Sequence, residues 1–132
     1  MPATDEAIRA AVTACAAADD KKASDVLVLE VADILNVVDL FVVASAPTDR
    51  QLRAVADEVE RKLREDLDRR PLRREGDPAS GWMLLDYGDI VCHLFEDERR
   101  DYYALERLWS DVPRRDPQTG EPHTARVAEE SR

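Results

Sequence analysis

The sequence predicts a small α/β domain: a mixed sheet of five strands with flanking helices. Three observations carry that expectation. Residues 25–31 and 40–45 are nearly continuous runs of β-branched and leucine residues, the pattern of strands covered on both faces. The stretch from Ile34 to Asp39 is too short for a crossover helix, so these two strands are expected to be antiparallel neighbours. Leu52, Val55, Ala56, Val59, Leu63 and Leu67 then recur at helical spacing before the third strand. A helical connection between strands two and three points to a parallel pair and so to a mixed sheet.

The other elements follow in order. Thr4 is a candidate N-cap for a helix over 5–18, where Ile8, Ala11, Val12 and Cys15 form a thin apolar stripe. So thin a stripe must gain its stability by docking. Thr48 with Gln51 fits a capping box at the start of the long helix, which Pro71 stops near Arg70. Leu72 to Glu75 reads as a charged edge strand. Residues 82–86 and 90–95 read as a hairpin closed by Asp86-Tyr87-Gly88-Asp89. Tyr102, Leu105, Leu108 and Trp109 predict a last helix over 96–110, ended by Pro113. Residues 1–113 therefore make the domain. Residues 114–132 have scattered charges and almost no apolar anchors, and are expected to be a disordered tail.

Length and composition bound the function. With 132 residues the chain supports a single core. A net charge of −10 disfavours wrapping nucleic acid, which needs a basic surface, and suits docking on a basic protein. Cys15 and Cys92 form no CxxC pair and read as small buried hydrophobes rather than metal or redox ligands. No apolar run approaches the roughly 20 residues of a membrane span, and the N-terminus has no signal core; a cytoplasmic protein is expected.

The polar residues of 82–95 are the candidates for chemistry. Asp86 and Asp89 bracket a turn, where two carboxylates can hold Mg²⁺ for nucleotidyl transfer. Their spacing is Asp-x-x-Asp, with no phosphate-cradling glycine loop and no Gly-Ser element before an Asp-x-Asp pair, so turn capping is preferred. His93 shares a strand face with Val91 and Phe95, with Cys92 pointing away; a hydrogen-bonded structural or interface histidine is expected, not a metal ligand. Ser45 has no neighbouring base and reads as a polar strand end. Alternation puts Trp82, Leu84 and Asp86 on one face and Met83, Leu85 and Tyr87 on the other. It leaves open whether Trp82 is core or a partner anchor.

Three stretches resemble the ribosomal silencing factor, or Iojap, family. They are Asp39-Leu40-Phe41-Val42-Val43-Ala44-Ser45 with Thr48-Asp49-Arg50-Gln51; Trp82-x-Leu84-Leu85-Asp86-Tyr87-Gly88-Asp89-Ile90-Val91-x-His93-x-Phe95; and Tyr102-Tyr103-x-Leu105-Glu106-Arg107-Leu108-Trp109-x-Asp111. Leu40 and Cys92 depart from the commoner residues at their positions, and the tail has no counterpart. The resemblance implies a nucleotidyltransferase-like fold without transferase activity, and hence no cofactor or metal. It further implies binding to the large ribosomal subunit through its fourteenth large-subunit protein, which blocks joining of the small subunit when nutrients run short. A homodimer when free, little direct nucleic-acid contact and no membrane contact complete the expectation. By the same motif, the partner-binding residues are Trp82, Leu84, Asp86, Tyr87, Asp89 and His93: Trp82 an apolar anchor, the aspartates meeting basic groups, Tyr87 an amphipathic contact. The alternatives are a metal-dependent nucleotidyltransferase and a dimeric scaffold for some other partner.

Overall fold

A computed structural model describes residues 3–33, 35, 37–98 and 112–122. Two helices and six strands appear among them: α1 (Asp5–Asp20), β1 (Ser24–Glu30), β2 (Leu40–Ala46), α2 (Asp49–Leu67), β3 (Arg73–Asp77), β4 (Trp82–Asp86), β5 (Ile90–Glu96) and β6 (Arg114–Arg115). A short 3-10 turn over Pro78–Ser80 joins β3 to β4. The expected last helix over 96–110 falls largely outside the described residues.

The strands form one mixed sheet in the order β3-β4-β5-β2-β1-β6. β1 pairs antiparallel with β2, as the short connection requires. The parallel pair is β2 with β5, in register from Leu40 opposite Ile90 to Ala46 opposite Glu96. The expected β2–β3 neighbourhood is therefore corrected, although β3 does run in the direction of β2. The reason is burial. Arg73-Arg74-Glu75-Gly76-Asp77 is exposed throughout, and such a strand can stand only at an edge. β5, buried at five of its seven positions, takes the place beside β2.

Five strands were expected, and six are found among the described residues. The sixth lies in the stretch read as a tail: Arg114 and Arg115 pair with Leu29 and Val28 of β1. Arg115 reaches Glu30 at 3.4 Å and donates to the carbonyl of Gly120 at 2.7 Å. Gly120, at φ +78, then lies against α1 so closely that an added Cβ would sit 2.6 Å from Ile8 Cγ2. Residues 123–132 lie outside the described residues.

Both helices pack on one sheet face. Thr4 caps α1 by accepting the Ala7 N–H. The buried stripe of α1 is mostly alanine (Ala7, Ala10, Ala11, Ala14, Ala17, Ala18) together with Cys15, which lets the helix lie close to its neighbours. Ile8 and Val12, expected in that stripe, flank it instead. Thr48 caps α2 through the Gln51 N–H. The reciprocal half of the capping box is not made; Gln51 Nε2 donates to the Lys21 carbonyl at 2.9 Å. α2 ends at Leu67, where Asp68 takes a left-handed C-cap at φ 54. Beneath the helices, Val28, Leu40, Val42, Met83, Leu85, Ile90, Cys92 and Leu94 form the core. The opposite face carries Leu29, Val31, Phe41, Val43, Val91 and Phe95. Both cysteines are buried free thiols, as read from the sequence, and burial pushes the Cys15 thiol up to about 12.

Gly76 holds the β3–β4 hairpin together. It sits opposite Met83 at φ +86, and a Cβ there would collide with the Trp82 carbonyl oxygen. Gly76→Ala is expected to destabilise the domain by about 2–3 kcal/mol. Thermal unfolding should show a melting temperature lower by roughly 6–12 °C; an unchanged value would contradict this account of the hairpin.

Candidate partner-binding site

β4 is sandwiched between the exposed edge strand β3 and the buried strand β5, so its side chains divide cleanly between two faces. On the face away from the helices, Trp82 stands opposite Phe95, Leu84 opposite His93 and Asp86 opposite Val91. Trp82 and Leu84 are half-buried and pack against the Phe41–Phe95 cluster while keeping part of their surface in solvent. Trp82 is thus neither a sealed core residue nor a free one.

The two aspartates do different work from each other. Asp86 Oδ1 accepts the Gly88 N–H at 2.8 Å and shapes the turn, while Oδ2 accepts from Arg73 Nη2 at 3.1 Å. The Asp89 carboxylate takes a two-pronged bond from Arg69, at 2.7 and 3.1 Å. Arg69 Nη2 also donates to the Tyr87 carbonyl at 2.9 Å, and pairing with Asp89 raises the guanidinium's pKa. The Asp89 carbonyl accepts the N–H groups of Asp39 and Leu40. Arg69 therefore ties the hairpin tip to the end of α2, and the Asp89 backbone ties it to the start of β2. Nothing local in the sequence announces the Arg69–Asp89 pair, since its members are twenty residues apart.

Tyr87 does not join this surface. It is 4% exposed and belongs to the core beneath the helices, with Arg69 over its ring at 5.8 Å from the centroid. Burial raises its phenol well above the ordinary value. The expected partner contact at Tyr87 is accordingly corrected to a packing role. His93 lies on the face of Val91 and Phe95, as expected, which is also the Trp82 face, but the expected hydrogen bond is not made among the described residues. Among the described residues both ring nitrogens are buried without a partner. Its ring meets Phe41 edge-on, with centroids 4.7 Å apart, and stacks parallel to Phe95 at 6.3 Å. Ser45 is buried in β2, out of reach of a substrate. Chemically the arrangement offers a small amphipathic surface: aromatic and aliphatic area from Trp82 and Leu84, bordered by the partly solvated carboxylate of Asp86.

The family model described as "Ribosomal silencing factor during starvation" matches residues 4–132. The chain belongs to that family. A ribosomal silencing factor from Bacillus subtilis is 38% identical over 103 residues, spanning 76% of this chain and 84% of the relative. A mouse protein named "Mitochondrial assembly of ribosomal large subunit protein 1" is 32% identical over 96 residues, or 68% of this chain and 40% of its own length. A crystal structure of a Chromobacterium violaceum protein superposes with a TM-score of 0.73 at 31% identity, covering 77% of this chain and 84% of that one. The resemblance read from the three motifs is thereby established. The bacterial relative carries the name of a regulator rather than of a catalyst. Among this member's described residues, no helix is long and apolar enough to cross a membrane.

His93 gives the site a measurable pH signature. Burial moves its pKa from 6.5 down to about 4. Between those values the unfolded chain binds a proton that the folded chain refuses. Stability is therefore complete above pH 6.5 and is lost as the pH falls toward 4, by about 2–3 kcal/mol from this group. Urea unfolding at stepped pH should show His93→Leu losing less stability than wild type across that window. Parallel curves for the two proteins would refute the assignment.

Proposed function

We propose that this member of the ribosomal silencing factor family binds the large ribosomal subunit through its fourteenth large-subunit protein and sterically blocks joining of the small subunit. It acts in the cytoplasm and chiefly when nutrients are limiting. Free in solution it is a homodimer. It uses a nucleotidyltransferase-like scaffold for binding rather than for transfer. The observation that carries this reading is the family match over residues 4–132, together with a hairpin whose Trp82 and Leu84 remain partly in solvent. The mouse relative's name refers to the large ribosomal subunit, which supports the choice of subunit.

Within the site, Trp82 is the anchor and Leu84 extends its apolar area. Asp86 meets a basic group of the ribosomal protein, exchanging part of its bond with Arg73 for the new one. Asp89 supports the surface indirectly by fixing the turn to Arg69. His93 stiffens the floor under Leu84 rather than contacting the partner through its nitrogens. The chain's charge of −10 suits a basic ribosomal protein better than ribosomal RNA, so direct nucleic-acid contact is small.

The test is co-sedimentation with purified large subunits. Wild type is expected to pellet with them. Trp82→Ala should weaken binding by about 2 kcal/mol, roughly 30-fold, with Asp86→Ala losing less. Melting curves establish beforehand that both variants are folded. Wild type that stays in the supernatant would overturn the ribosome reading, and folded Trp82→Ala that pellets like wild type would displace the site.

A further inference from the structure

A second surface lies at the other edge of the sheet, away from Trp82. There a cleft of about 570 Å³ runs between one side of α1, the beginning of β1 and the turn at 116–118. Val12, Cys15, Ala16 and Asp19 fall at the helical spacing that puts them on one side of α1, and Val26 of β1 joins them in the lining. Asp19, Asp20, Asp25 and Asp116 also line the cleft.

Two further features of this cleft concern what it can hold. The first is an unused strand edge. β6 pairs only with Val28 and Leu29, so no described residue pairs with the outer edge of β1 from Ser24 to Leu27. The turn that follows β6 folds back on itself, with Asp116 and Glu121 joined through their backbones. Asp25, at φ 51, lies in the irregular part of β1, where the register with β2 shifts. An exposed strand edge is a template for an added strand. The second feature is charge placed against local preference. Asp19 and Asp20 sit in the last turn of α1, which has no basic residue, where the helix dipole disfavours carboxylates. Neither they nor Asp25 take an ion-pair partner among the described residues. Lys21 and Lys22 follow directly but do not line the cleft.

We infer that this cleft docks an extended basic segment of a partner protein, which adds a strand to the open end of β1 in line with β6. Alternate lysine or arginine side chains lay their aliphatic stems on Val12 and Val26 and bring their charges to Asp19, Asp20, Asp25 and Asp116. Side chains of the opposite parity point to the other face of the sheet, away from α1. The surface is separate from the Trp82 site, and the inference stands whether or not that site binds the ribosome.

The probe is a fluorescently labelled octapeptide of alternating lysine and valine, titrated with the full chain at low ionic strength. Saturable binding that weakens with added salt is expected. Asp19→Asn/Asp20→Asn should weaken it by roughly tenfold or more, because two charge-assisted hydrogen bonds to the peptide become neutral ones. Removing carboxylates from the negative end of a helix, this variant should melt no lower than wild type. Asp66→Asn/Glu98→Gln removes equal charge at exposed positions outside the cleft, and its binding should stay within about twofold of wild type. A peptide with alternate backbone amides N-methylated should lose binding, because it cannot complete a strand pair. Absence of binding, equal weakening by the two double variants, or undiminished binding of the methylated peptide would each overturn the proposal. So would tighter binding by a peptide of residues 123–132, which would make the chain's own C-terminal segment the occupant.

Discussion

The parallel pairing of β2 with β5 sets the terms for everything around it. Parallel neighbours cannot be joined by a tight turn, so the chain between them must leave the sheet and return. It does so through α2 and then through the β3–β4 hairpin, which brings β4 in on the far side of β5. Both central strands are buried on both faces, and this accounts for their nearly unbroken apolar sequence. α2 and the alanine face of α1 cover one side. The other side carries the aromatic cluster from which Trp82 and Leu84 emerge.

Much of this was legible because burial writes itself into composition. The two apolar runs, the amphipathic α2 and the 82–95 hairpin were read at nearly their observed bounds. Strand order was harder. The helical connection correctly suggested a parallel relation, but only the polarity of Arg73 to Asp77 indicates that β3 belongs at an edge. β6 left almost no trace: two arginines, of which Arg115 is held by Glu30 and by a glycine packed on α1, carry no apolar signal. α1 misled in a similar way. Ile8 and Val12 match the helical period but flank the buried stripe, because the close approach of the helix favours alanine.

In the candidate site, the face each side chain takes was legible and its role less so. Strand alternation had already put Tyr87 with Met83 and Leu85, and that is where the structure buries it. Its expected role as a contact came from motif membership alone. The motif of residues 82–95 thus contains two kinds of residue. Gly88, Asp89 and Tyr87 build and bolt the turn, while Trp82 and Leu84 face outward. A long motif records folding requirements as well as any recognition. The Arg69–Asp89 bolt escaped the sequence reading because a pair so far apart in the chain has no periodic signature.

The close packing of Gly120 on Ile8 and Val12 has a consequence for the order of events during synthesis. α1 is made before every strand of the sheet, and Gly120, which closes over its outer flank, is made after them all. β2 likewise waits for β5, which is made only after α2, β3 and β4. Segments made earlier are therefore held without their final neighbours until the later strands have been made. Contacts this distant in sequence slow folding, because the ends of long loops must meet before any gain is realised. The sheet is finished only once β6 has emerged.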